Sequence, residues 1–493
     1  MIGNTTWLRR MALVLTTSLV LSAAVLAQEE PKSVPTSNTQ VRAAIDLYNK
    51  GSLAESAALL EETVKADPNN GDAFSWLGFV YLRQGAPDKA VSPLESASKL
   101  KPNDLEVWIN LGNAYMNSGN SAKALSTYEM VVSKKPDFAE GWYNIGSVYL
   151  ANGNTDKAIT AFSKANAINP KDAFTWNNLG AAYDKAGRND EAAEAFANAS
   201  SRKTDNAAFA SNAGFAFYKA KKPANAVTYL ERALANGNND LNLKAALADT
   251  YLSLGRRSEA LKLFNEVESV MADNKVFWYN RAILSSEAGD VETAISSYEK
   301  ALDIDPNHAD SLNNLGLIYF KQNRFNDAAD LFKRLYDLNK NNRVAQINLA
   351  ASYARGGKTD QAVAIWRQIL RAEPGRTDIR VDLGSALWNK GDRQAAKFHF
   401  QAALKAEPNN ARALNGMGIW FLSQGRNQEA EMSLRKAIKN SPSFVPPHVN
   451  LAIALERQNK RKEAISILER AAKMDPKSEE VKSNLARMKK AQG

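Results

Sequence analysis

The chain has 493 residues, 44% hydrophobic and 24% charged, with a formal net charge of +10 and no cysteine. Its length exceeds what one compact core ordinarily supports. The missing cysteine excludes disulfide frameworks, thiolate zinc sites, thiol catalysis and acylation at a lipoprotein cysteine.

At the N-terminus, Arg9 and Arg10 precede an apolar run from Met11 to Leu26, and Val25 and Ala27 fit the small-residue rule for cleavage before Gln28. Residues 1–27 therefore read as a secretory signal peptide, which implies a periplasmic or secreted protein. Residues 28–40 are polar and rich in Pro, Ser and Thr, and read as a flexible leader. Residues 41–70 carry a degenerate first repeat, in which Leu47, Leu60 and Pro68 keep a pattern that has no Trp and has Ala44 in place of Gly.

The pattern is clearest over Glu106–Pro136, where Trp108, Leu111, Gly112, Tyr115, Gly119, Ala124, Tyr128 and Pro136 sit at fixed offsets. The same offsets return 34 residues later as Trp142, Ile145, Gly146, Tyr149, Gly153, Ala158, Phe162 and Pro170. Helical spacing places Trp108, Leu111, Gly112 and Tyr115 on one stripe and Ala124, Tyr128 and Val131 on a facing one. Small residues at Gly112 and Ala124 let two helix axes approach. Gly119 suits a left-handed turn, and Pro136 ends the second helix. Residues 71–478 hold twelve such units of 34 without insertion, with a Gly or Ala at every first-helix contact from Gly78 to Ala452 and an Ala at every second-helix contact from Ala90 to Ala464. The closing Pro is replaced by Thr204, Asn238, Ala272 and Lys340, and Ala210 and Lys244 replace the aromatic. Residues 200–275 are accordingly expected to be the least stable zone. Residues 479–493 close the array with a capping helix in which Val481, Leu485 and Met488 share a stripe.

This pattern resembles the tetratricopeptide repeat (TPR) family. The resemblance covers residues 37–478 and implies an all-α, right-handed superhelical solenoid of about 12–13 helix-turn-helix repeats with a C-terminal cap. It also implies that the first-helix face opposite the packing stripe lines a concave groove. In the template that face carries Glu106, Ile109, Asn110, Asn113, Met116 and Asn117, pointing away from the partner helix at 100° per residue. Asn recurs on it at Asn110, Asn144, Asn178, Asn212, Asn280, Asn314, Asn348 and Asn450, with Asp382 as a polar substitute and Trp76, Ala246 and Gly416 as breaks. An amide donates and accepts at once, so such a row can hold an extended peptide backbone. It looks like the asparagine ladder in the TPR arm of O-linked N-acetylglucosamine transferase, whose catalytic domain is absent here. The alternative is that these amides hydrogen-bond an adjacent helix. Phe79, Tyr143, Phe215, Tyr279, Phe320, Trp388, Ile419 and Ile453 add apolar groups to the same face.

The repeats leave no room for a catalytic domain, and no nucleotide-binding glycine motif stands in a fitting context. The three histidines, His308, His399 and His448, fall at different offsets of different repeats, so neither a metal site nor any other cofactor is expected. No aromatic-basic nucleic-acid module is visible. Residues 445–493 hold 11 Lys/Arg against 6 Asp/Glu. That basic end is a candidate for peripheral contact with anionic surfaces, the alternative being a solvated face. The expected function is a non-enzymatic, exported scaffold that binds extended protein segments and helps assemble an envelope complex for secretion, motility or the outer membrane. Self-association through the groove is open, and the alternative role is in export or assembly of cell-surface polysaccharide.

Overall fold

A computed structural model of the protein describes residues 39–490. The expected signal peptide, the leader up to residue 38 and the last three residues lie outside the described residues. Among the described residues there are 27 helices and no strand. First helices begin at Gly71, Leu105, Ala139, Ala173, Ala207 and Leu241, then at Lys275, Ala309, Arg343, Thr377 and Ala411, a constant step of 34. The chain divides after Asp273 into two compact units. The same contact rule builds both.

That rule joins a small residue to the side chain 16 positions on. A Cβ added at Gly112 would come within 2.4 Å of Tyr128, and one at Gly146 within 2.7 Å of Phe162. In the second unit, Gly316 meets Phe332 and Gly384 meets Phe400 in the same way. Tyr128, Phe162 and Phe332 are completely buried, so each helix pair has its own apolar centre. The turn between the two helices needs a left-handed residue. Gly119 and Gly153 supply it at φ 81° and 78°, while Lys221, Asn323 and Asn459 adopt it at φ 58°, 61° and 63°.

Two recurring hydrogen bonds tie the repeats together. Trp108, Trp142 and Trp176 donate their indole N–H to the carbonyls of Pro102, Pro136 and Pro170 at 3.1, 2.9 and 3.0 Å. The bond ties the first turns of these three helices to the end of the preceding repeat, and Arg380 reaches the Pro374 carbonyl in the same way. Tyr81, Tyr115, Tyr251 and Tyr319 donate to Glu61, Glu95, Glu231 and Glu299, each 20 residues earlier on the preceding second helix. Burial, then the hydrogen bond and charge of the carboxylate, push these phenols up to about 12, so they stay protonated donors. First helices are capped by Asn70, Asp104, Asp172, Asn206, Asp240, Asn274, Asn342 and Asn410, whose side chains accept first-turn N–H groups. Each such cap contributes about 1 kcal/mol.

One second helix departs from the rule. Arg257–Glu266 has 10 residues, whereas Thr155–Ile168 and Val291–Ile304 have 14. The missing proline does not cause this, because Asn189–Arg202 and Phe325–Leu338 keep 14 residues without one. The difference lies at the C-cap position. The position that caps full-length second helices holds Lys135, Asn169, Lys203, Asp305 or Glu373 and is Gly237 in the preceding repeat, but in this repeat it holds Met271, only 5% exposed, and the helix is capped at Val267 instead. Burying a Met is worth about 1.5–3 kcal/mol, enough to unwind the last turn and draw position 271 inward. Val267 keeps its buried place, and Met271 N–H closes a turn onto its carbonyl at 3.2 Å.

At the C-terminal end, Glu479–Lys490 lays Val481 and Met488 onto helix Arg461–Met474 and buries both completely. Its acidic first turn and basic last turn suit the helix dipole.

Candidate protein-contact face

The first-helix face is more deeply packed than its polar sequence suggests. Asn110, Asn144 and Asn178 are 0%, 1% and 6% exposed, whereas Asn212, Asn280, Asn314, Asn348 and Asn450 are partly exposed. Ile109 and Asn113 are also buried. Asn113, expected to point away from its partner helix, instead accepts a hydrogen bond from the hydroxyl of Tyr128 on that helix at 2.5 Å. The position lies at the edge of the stripe, and a tyrosine reaches it where a phenylalanine would not. Burial first, then Glu140, raises the Tyr128 phenol well above its usual value and keeps it a donor.

Three asparagines donate to the preceding first helix. Asn178 Nδ2 reaches the Tyr143 hydroxyl at 3.0 Å, Asn212 Nδ2 reaches Asn177 Oδ1 at 2.8 Å, and Asn450 Nδ2 reaches Asn415 Oδ1 at 2.9 Å. Each partner lies 35 residues back. Asn314 Nδ2 donates to Tyr298 at 3.3 Å and Asn314 Oδ1 accepts from Asn313 at 3.1 Å. Sequence reasoning missed these partners, although the signal is simple: a polar residue one repeat and one position before a ladder Asn. An amide that donates once keeps a second N–H and acceptor capacity, so the partly exposed members retain polar groups for a ligand.

Beside them, Tyr143, Phe215, Tyr279, Phe320, Trp388, Ile419 and Ile453 are partly exposed, while Phe79 is buried. In the second unit a slot of ≈ 110 Å³ opens among Trp388, Asn389, Phe400, Arg412, Asn415 and Ile419. Gly416 breaks the ladder there because Phe400 crosses beneath it, and a Cβ would come within 2.6 Å of the ring. Arg412 pairs with Asp382, the acidic member of the row.

The histidines are apart. His308 bonds Ser311 at 2.8 Å and His448 bonds the Phe444 carbonyl at 3.0 Å. Burial lowers the pKa of both His399 and His448. Among the described residues, no cluster of His, Asp and Glu could hold a metal ion, and no helix is long and apolar enough to cross a membrane.

Comparison with known proteins places this chain among repeat proteins. A family profile described as Cilia and flagella-associated protein 70 C-terminal domain matches residues 22–275. Tetratricopeptide repeat profiles match residues 287–323, 319–380, 381–443 and 421–488. Tetratricopeptide repeat protein 8 of Caenorhabditis elegans is 28% identical over 113 residues, 22% of this chain and 22% of that protein. The photosystem I assembly protein Ycf3 of Prochlorococcus marinus (strain NATL2A) is 40% identical over 73 residues, 14% of this chain and 42% of that one. The chain thus spans less than half the length of these curated relatives. Among solved structures, MamA is 27% identical, covers 33% of this chain and 94% of its own, and superposes with a TM-score of 0.31.

Proposed function

The chain belongs to the tetratricopeptide repeat family and is a scaffold for contact with other proteins, and from that premise we propose that it is exported and grips extended segments of partner proteins along its first-helix face. Asn212, Asn280, Asn314, Asn348 and Asn450 hold the segment's backbone, and the partly exposed rings beside them take its side chains. The observation that carries this reading is the run Asn280, Asn314 and Asn348, partly exposed and flanked by partly exposed Tyr279 and Phe320. Apolar groups next to partly exposed amides suit a polypeptide better than a fully polar ligand. Export would place the scaffold in the cell envelope, where it assembles a secretion, motility or outer-membrane complex.

The test is affinity capture from envelope extract of the native host, with the wild-type chain beside a variant carrying Asn280→Ala, Asn314→Ala and Asn348→Ala. The variant must first match wild type in helicity and melting. Proteins captured by wild type and lost by the variant are the expected result, together with a periplasmic mature chain whose N-terminal residue is Gln28. Equal capture by both proteins would remove this face from the function. Capture of glycan alone would replace the reading with a role in surface polysaccharide assembly.

A further inference from the structure

A second cavity lies away from the asparagine row, in the first unit. It has a volume of ≈ 580 Å³ and opens between helices Thr155–Ile168 and Asn189–Arg202, above Trp176, Leu179 and Tyr183. This falls in the usual range for ligand sites, about 300–1,000 Å³. Asn166 lines it, is 5% exposed, and has no hydrogen-bond partner for either amide atom. Leaving a buried polar group unmatched costs about 1–3 kcal/mol.

The repeat itself offers a control. Subtracting 34 from Asn166 gives Val132, which lines the equivalent cavity of the preceding repeat, only ≈ 240 Å³. Leu302, Leu370, Leu404 and Ile438 stand at the same position in later repeats. Ser98, Ser200 and Glu268 also stand in this series, but the Ser98 hydroxyl bonds the Glu95 carbonyl and Ser200 accepts from Arg232, whereas Asn166 is buried with both amide atoms unmatched. The rim differs too: Lys157 and Thr160 of the preceding cavity become Glu191 and Glu194 here.

The remaining polar groups around the cavity are mostly engaged. Trp176 spends its indole N–H on Pro170, and Arg202 lies over its ring at 4.9 Å. Asn198 accepts from Arg202 at 2.9 Å and donates to the Glu194 carbonyl at 2.9 Å. Glu191 pairs with Arg188, and Asp190 with Lys222, each at 2.7 Å. The carboxylate of Glu194 makes no ion pair among the described residues. What remains is a buried donor–acceptor pair on an apolar floor with a carboxylate at its edge.

We propose that this cavity is a second peptide-binding site, specific for a partner segment carrying an aliphatic residue next to a Lys or Arg. The backbone peptide group of that segment satisfies both atoms of Asn166, since a peptide N–H and C=O are the complement of a primary amide. Its aliphatic side chain lies on Leu179 and Ala195, and its cation meets Glu194.

The test pans a display library of random dodecamer peptides on the intact chain. Recovered peptides are synthesised and titrated against wild type, Asn166→Val, Glu194→Gln and Asn314→Ala. The expected peptides pair an aliphatic residue with Lys or Arg. Asn166→Val should weaken them about tenfold or more and Glu194→Gln about threefold, while Asn314→Ala leaves them unchanged. Asn166→Val installs the residue that the preceding repeat carries at this position, Val132, so it should melt no lower than wild type and serve as its own folding control. If no recovered peptide loses affinity on Asn166→Val, the proposal is overturned. Sensitivity to Asn314→Ala instead would assign the peptides to the asparagine face and equally overturn it.

Discussion

The repeat built from Ala139–Ala151 and Thr155–Ile168 and the repeat built from Leu241–Ser253 and Arg257–Glu266 share one contact rule and end differently. In the first, Gly146 sits against fully buried Phe162, and the second helix runs its whole length to a polar cap at Asn169. In the second, Ala248 and Phe264 hold the same buried places, yet the helix stops four residues early because Met271 turns inward. The central contact of a repeat therefore does not depend on how its last turn ends. Stability in such an array is a sum of local terms and neighbour terms, so the two repeats can be perturbed separately.

The largest effect should come from emptying the ring's place in the regular repeat. Phe162→Ala should cost about 3–5 kcal/mol, seen as a lower urea midpoint. A shift no larger than that of an exposed substitution would mean that the ring is not the centre of the pair. Next is overpacking: Gly146→Val should cost about 1–3 kcal/mol, because even a Cβ meets Phe162 at 2.7 Å. The third change should stabilise. Lys221 occupies the left-handed turn position at φ 58°, and Lys221→Gly should raise stability by about 1 kcal/mol by removing the Cβ penalty. A fall in the midpoint would show that the Lys side chain contributes more than its backbone costs.

Smaller again is the frayed end. Met271→Asn returns a polar cap residue, and amide exchange at residues 267–270 should slow as the helix extends. Unchanged exchange there would remove Met271 as the cause of the short helix. In the wild-type chain, residues 200–273 should exchange faster than residues 71–198, and uniform protection would contradict the ranking of the zones. The smallest expected effect concerns pH in the second unit. His399 and His448 have folded pKa values below 6.5, chiefly through burial. The unfolded chain therefore takes up protons first as pH falls, and stability should decline as pH drops below about 6.5 and hold above it. His448→Gln should flatten that slope if the fold tolerates it, and an unchanged slope would exclude this residue.

The helix pairs were legible from sequence because the rule behind them is local. A Gly or Ala, a ring 16 residues later and a turn glycine between them define the pair without reference to the rest of the chain. The Trp and Pro of three repeats were also visible, but not the indole-to-carbonyl bond that links them. The asparagine row was found by its spacing, whereas its burial was not. Whether Asn110 faces water depends on the first helices before and after it, and a pattern read within one repeat carries no information about that distance. Asn113 was misplaced for a related reason, since only the hydroxyl of Tyr128, and not its ring, reaches it. Asn166 escaped notice because its polarity looks ordinary in a helix. Ser98, Ser200 and Glu268 are polar at the same repeat position, so Asn166 stands out only by being buried with neither amide atom matched. Met271 was legible by comparing repeats, as the one large apolar residue at a position otherwise polar or Gly.

The central claim is that the first-helix face bearing Asn280, Asn314 and Asn348 receives a partner's extended segment. The most direct measurement is amide hydrogen exchange of the intact chain with and without a protein captured from envelope extract. The account predicts added protection in helices Lys275–Glu287, Ala309–Lys321 and Arg343–Arg355, with the intervening second helices unchanged. Protection confined to Val291–Ile304 and Phe325–Leu338, or none in either set, would contradict it.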